Sequence, residues 1–151
     1  MSKRTTKNTG KVSSKKTVQQ NEYSSDNRKS VWCFDMLDRN GRFAFNLDRD
    51  DFRHKDFMDK LISYSNMTWS EIKRQTHDNN KSKHHFISPD KLSSHALERL
   101  KTTELEEFSD SIFSFAFDNK LRVIGIRTNE YFHVLWYDPR HEVCPSMKKH
   151  T

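Results

Sequence analysis

Between Arg53 and Leu100 the apolar residues recur every three or four positions, whereas from Ile112 to Tyr137 they alternate, so the chain changes from a helical to a sheet period. Phe57, Leu61 and Tyr64 predict a helix over residues 53–65. Thr68 and Glu71 have capping-box spacing ahead of Ser70 to Gln75, with Trp69 and Ile72 three apart. Ser88-Pro89 opens a third helical stretch, because serine caps a first turn and proline suits the first helical position; Leu92, Ala96, Leu97 and Leu100 give it one apolar face.

Ile112 to Phe117, Leu121 to Arg127 and Tyr131 to Tyr137 are expected to be strands. The intervening segments, Asp118-Asn119-Lys120 and Thr128-Asn129-Glu130, are too short for parallel crossovers and predict an antiparallel meander. In the second strand Leu121, Val123, Gly125 and Arg127 share one face, and Arg122, Ile124 and Ile126 the other; in the third, Tyr131, His133, Leu135 and Tyr137 alternate with Phe132, Val134 and Trp136. Asp138-Pro139 closes the last strand, and His141 to Pro145 form a return segment. Nearer the start, the aromatic-rich Val31 to Leu37, the turn signal Asn40-Gly41 and the alternating Phe43, Phe45 and Leu47 predict an opening hairpin. The expected fold is α+β, an antiparallel sheet meander packed on one side by two or three short helices.

Charge adds a boundary that periodicity does not show. Residues 1–30 carry eight Lys/Arg against Glu22 and Asp26, while residues 31–151 carry nineteen basic and nineteen acidic groups, so the formal net charge of +6 belongs to the N-terminal segment. That segment has few sizeable apolar residues, Val12 and Tyr23 among them, to offset the entropy of ordering. It is expected to be a disordered basic tail over 1–30, followed by a single domain over 31–151. Such a tail either follows a phosphate backbone or keeps the chain in solution. No apolar run reaches the length of roughly 18 residues that spans a bilayer, and the expectation is a soluble, cytoplasmic protein. Cys33 and Cys144 lack a partner at redox or zinc-ribbon spacing and are expected to be reduced thiols.

Three groups of residues carry candidate chemistry. Arg127 and His133 lie on neighbouring strands; if their side chains converge, arginine holds a phosphate while imidazole, which titrates near neutrality, moves a proton. Without convergence, Arg127 is a strand terminus and His133 a structural hydrogen-bonding group. His84 and His85 follow Lys81 and Lys83 and precede the helix beginning near Pro89, a junction able to receive an anion or simply a polar loop. Tyr137, Arg140 and His141 lie where the sheet ends, able to stack on a base, pair with a phosphate or serve only to terminate the strand. The spacing of His141-Glu142-Val143-Cys144 matches no standard metal site, which leaves one assembled in space with His84, His85 or His133 as the alternative; the three glycines form no phosphate loop, and the expectation is neither metal nor cofactor. Asp48, Asp50 and Asp51 are explained by the helix that follows them. Most of the eleven Phe and three Trp are needed for the core.

Helical segments followed by SIFSFAFDNKLRVIGIRTNEYFHVLWYDP resemble the small toxins of the RelE and ParE superfamily, above all in residues 122–145, with Arg127 in one strand and His133 in the next. The resemblance implies messenger RNA cleavage, often on the ribosome, or gyrase inhibition, with an antitoxin protein as partner. It also implies that basic and aromatic residues on an exposed sheet contact RNA. The leading expectation is therefore an RNA-directed protein, a metal-independent endoribonuclease with His133, Arg127 and His85 catalytic and His84, Lys83, Arg122, Tyr137, Arg140 and His141 on the RNA. The alternative is a noncatalytic nucleic-acid or protein binding module with a basic N-terminal arm.

Overall fold

The computed structural model describes residues 25–145. Its centre is a five-stranded sheet in the order β1-β5-β4-β3-β2, with β1 Val31–Cys33, β2 His85–Phe86, β3 Ile112–Ala116, β4 Arg122–Thr128 and β5 Tyr131–Asp138. The last three strands form the expected meander, paired antiparallel in sequence order. Edge strand β2 joins β3 antiparallel, and β1 joins β5 in parallel on the opposite edge, so the sheet is mixed.

Helix α1 spans His54–Ser65 and α2 spans Trp69–Arg74. The capping box forms as its sequence predicts: Thr68 Oγ1 accepts from the Glu71 amide, and Glu71 Oε1 accepts from the Thr68 amide. The third helical stretch divides. Pro89–Lys91 makes one 3-10 turn, and α3, Ser94–Thr102, has its own cap, Ser93 Oγ accepting from the Ala96 amide. Of its predicted apolar face, Leu92, Ala96 and Leu100 are buried while Leu97 is exposed.

Helices cover both faces of the sheet, not one. On the first face Phe57 and Tyr64 of α1 and Trp69 and Ile72 of α2 pack with Phe113, Phe115, Val123, Phe132 and Val134. On the second, Leu92, with Ala96 and Leu100 of α3, packs with Ile112, Ile124, Ile126, Leu135 and Trp136. The strand sequences account for this: on β3 and β4 both alternating sets are largely apolar, and a strand whose two faces are apolar needs cover on both. The exposed sheet surface implied by the toxin resemblance is therefore absent among the described residues.

The opening hairpin does not form. Residues 31–45 instead follow the outer edge of β5, first as β1 and then irregularly: the Val31 amide donates to Glu130, the Asp38 amide to Leu135, and the Tyr137 amide to Phe43. Phe43 and Phe45 are both buried, but in different cores, so their two-residue spacing closes both faces at one end of the sheet instead of lining one strand face. Alternation also fails in β5, where Ile124 pairs with Trp136 but Gly125 pairs with Val134, leaving Leu135 as a bulge. Gly125 makes this close approach possible, since a Cβ there would lie 2.3 Å from the His133 carbonyl oxygen and 2.7 Å from the Phe132 ring. After the bulge, Tyr137 returns to the first core and Leu135 and Trp136 both serve the second.

Residues 25–30, placed by charge in the tail, pack on the domain. Ser25 and Ser30 are buried, and Lys29 bridges to Thr68. The expectation of disorder over residues 1–24 lies outside the described residues.

Candidate functional site

The register of β4 and β5 separates the two residues expected to act together. Arg127 pairs with Phe132 and Ile126 with His133, so Arg127 points into the first core and His133 to the opposite face. Arg127 is fully buried. Its Nε donates to the Asn129 carbonyl at 2.8 Å, and its Nη2 donates to Asp26 at 2.8 Å and to Ser25 Oγ at 3.2 Å. Its guanidinium lies 4.0 Å from the centre of the Trp69 ring, a cation–π contact sheltered from water. Burial alone would raise the Asp26 carboxyl, but Arg127 and Lys73 outweigh it and hold that carboxyl below its usual range. Arg127 thus fastens the segment entering β1 to the core, and no shared groove with His133 exists.

His133 has other neighbours. Parallel pairing sets it level with Cys33, and its Nδ1 lies 2.9 Å from Asp35 Oδ1, with the ring N–H donating to the carboxylate. One donor atom from each of Cys33, Asp35 and His133 lies within 4.8 Å of the others. Cys33 and His133 are half-buried, and Asp35 is exposed in the turn after β1. The His133 hydrogen bond holds the Asp35 carboxyl below its usual range, while burial, with the Asp35 charge adding to it, pushes the Cys33 thiol up. This cluster was not foreseen. Cys33 and Asp35 have the two-residue spacing of one strand face, but nothing local in the sequence pairs β1 in parallel with a strand about a hundred residues later.

The remaining expected site residues are dispersed. His85 is exposed on edge strand β2, three strand positions from β5, or about 14 Å at ordinary strand spacing. His84 is buried: its Nδ1 accepts from the Ala116 amide at 3.1 Å, and its Nε2 donates to Gln75 Oε1 at 2.8 Å. Burial, reinforced by nearby Lys83 and Arg122, lowers its pKa to about 3 and keeps it neutral. Arg122 is buried, its Nη1 donating to the carbonyls of Asp118 and Leu121. Tyr137 is buried against Phe52, its hydroxyl accepting from the Arg53 amide and donating to the Asp51 carbonyl. Arg140 is exposed and His141 half-exposed in the return segment, which Asp138 caps by accepting from the Glu142 and Val143 amides. Lys83 lines a cavity of about 690 Å³ with Arg53, Asp56, Lys60, His77 and Asp118, a mixed-charge cleft.

Residues 48–151 match a protein family described as Uncharacterised protein UU032. The chain belongs to that family. No curated protein and no solved structure matches it. The matched span includes His133 but begins after Cys33 and Asp35, so the cluster joins a residue inside the family region to two before it.

The Cys33 cluster brings together a thiol, a carboxylate and an imidazole, three donor types that suit a d-block cation. As a covalent nucleophile Cys33 is poorly prepared, since its pKa is raised where an activated thiol needs it lowered. Elsewhere Phe34, Leu47, Phe52, Met58 and Leu61 line an apolar groove of about 400 Å³. No helix among the described residues is long and apolar enough to cross a membrane.

Proposed function

We propose that this protein is a noncatalytic nucleic-acid-binding protein whose basic N-terminal arm contacts phosphate and whose folded body anchors that arm. One observation carries the reading: the net positive charge lies in the N-terminal segment, and the body is neutral. Much of the body's cationic charge is internally engaged, as in Arg49 with Asp51, Arg53 with Asp56 and Asp118, Lys55 with Asp59, and Arg99 with Asp38. Within residues 1–24 the sequence sets Lys3, Arg4, Lys7, Lys11, Lys15 and Lys16 against the single acid Glu22. The endoribonuclease implied by the RelE and ParE resemblance is the competing reading, and its support weakens where Arg127 is buried and His85 stands on the far edge.

The test uses mixed-sequence single-stranded RNA with the full chain and a full-length variant carrying Gln at those six Lys/Arg positions. Each neutralised phosphate contributes about −0.7 to the slope of log K against log salt for single strands, so six contacts would make the wild-type slope steeper by about 4. Wild type is expected to bind without cleaving, and the variant to bind weakly with a nearly flat salt response. Equal binding and slope by both proteins would remove the arm from the interface. Reproducible cutting in EDTA by wild type, lost in His133→Ala, would restore the toxin-type nuclease reading.

A further inference from the structure

We propose that Cys33, Asp35 and His133 form a binding site for Zn²⁺ or a chemically similar borderline divalent cation, with a fourth coordination position open to solvent. The sheet register sets two of the donors: Cys33 and His133 are partners across the parallel β1–β5 pair. Asp35 lies two residues beyond Cys33 in the following turn and already reaches the His133 ring at 2.9 Å. Donors on one tetrahedral Zn²⁺ stand about 3.5 Å apart, given Zn–S of about 2.3 Å and Zn–N and Zn–O of about 2.0–2.1 Å. The present spread, within 4.8 Å, closes to that value by side-chain movements of roughly 1 Å, and Asp35 stands on an exposed turn.

The donor set selects the cation. Mg²⁺ and Ca²⁺ prefer oxygen cages and gain little from sulfur, whereas Zn²⁺ accepts thiolate, imidazole and carboxylate together. Binding breaks the Cys33 S–H bond, releases that proton to solvent and forms a metal–sulfur bond; the His133 Nδ1 proton also leaves to solvent while Nε2 takes one up, so that the neutral ring binds through Nδ1 and the Asp35–His133 hydrogen bond gives way to two metal–ligand bonds. The ion would pin the three-residue β1, and with it the segment that leads in from the basic arm, to the start of β5. This inference does not depend on the nucleic-acid reading.

Co²⁺ titration of the reduced full chain tests the site, because thiolate–cobalt charge transfer is visible in the near ultraviolet. Wild type should develop that absorption at one equivalent, lose it on addition of Zn²⁺, and show a higher Tm when Zn²⁺ is present. Cys33→Ser should abolish the band, His133→Ala should weaken Co²⁺ binding at least tenfold, and Cys144→Ser should change neither band nor affinity. Circular dichroism verifies that each variant is folded. Absence of a charge-transfer band in wild type overturns the proposal. So does a band that survives Cys33→Ser, or one that disappears in Cys144→Ser.

Discussion

Arg127 and His133 are polar residues on adjacent strands, yet the two faces of the sheet give them different roles. Arg127 lies beneath Trp69, bonded to Asp26, Ser25 and the Asn129 carbonyl, with no exposure to solvent. His133 lies at the half-open margin of the opposite face, bonded to an exposed carboxylate and level with a thiol. A buried guanidinium with fixed partners is a fastening; a half-exposed imidazole beside two other donors is available for binding. Two acids repeat the contrast. Asp38 is buried and takes Arg99 at 2.8 and 2.9 Å and the Trp136 indole N–H at 2.8 Å, whereas Asp35 is exposed and takes the His133 ring.

The largest expected effect comes from Arg127. Truncation in Arg127→Ala leaves a cavity under Trp69 and takes away one of the two cations on Asp26, and the expected loss is about 4 kcal/mol of unfolding free energy. Arg127→Met fills much of the same volume while Asp26 keeps Lys73 at 3.0 Å, so its loss should be about half as large. Urea denaturation of the two variants separates packing from charge; equal losses would mean that the ion pair, not the filled volume, holds this corner.

Gly125→Ala comes next, because the added methyl meets the His133 carbonyl oxygen and the Phe132 ring, neither free to withdraw. A destabilisation of about 3 kcal/mol is expected. Full stability in this variant would show that the strand can slide out of its bulge, and hydrogen exchange along β5 would then reveal a changed pattern of protected amides.

Asp38 links these contacts to pH. Burial would raise its carboxyl, but Arg99, the Trp136 indole and the Asn40 amide outweigh that and hold it below its ordinary value. A carboxyl whose folded pKa is depressed contributes stability above its unfolded value of about 3.9, and that contribution disappears as pH falls through the lower folded value. Asp38→Asn should therefore be less stable than wild type at pH 6 by about 2 kcal/mol, with the gap narrowing below about pH 4. Unfolding free energies measured from pH 2 to pH 6 check both sign and window; a gap independent of pH would assign the loss to altered packing.

The order in which these features could be seen in the sequence follows the range of the interactions that create them. The Thr68–Glu71 capping box, α1 and the meander depend on residues a few positions apart, and each formed as expected. The opening hairpin had equally good local signals, but Phe43 and Phe45 were claimed by separate cores, a competition that spacing cannot register. Strict alternation placed Tyr137 with His133, and Trp136 with Phe132 and Val134, and failed at a bulge that depends on Gly125 across the ladder. The site residues fared worst for the same reason. Arg127 and His84 became buried because helices cover the first face, and Cys33 met His133 only through parallel pairing between the two ends of the described chain.

The smallest expected effect is the one that best separates the two faces. His133→Ala removes a ring that is 21% exposed and whose hydrogen-bonding partner, Asp35, has a side chain 65% exposed, so solvent screens most of what that pair contributes. The strand neighbours Phe132 and Val134 keep their places in the first core, so unfolding free energy should fall by only about 1 kcal/mol. Metal affinity should nevertheless fall at least tenfold, whereas in Arg127→Met it should hardly change. Such a reversal, with the stability effect concentrated at one residue and the binding effect at the other, distinguishes a fastening from a ligand. If His133→Ala instead destabilised the fold as much as Arg127→Met, the β1–β5 margin would itself be a structural seam, and the contrast between the two faces would fail.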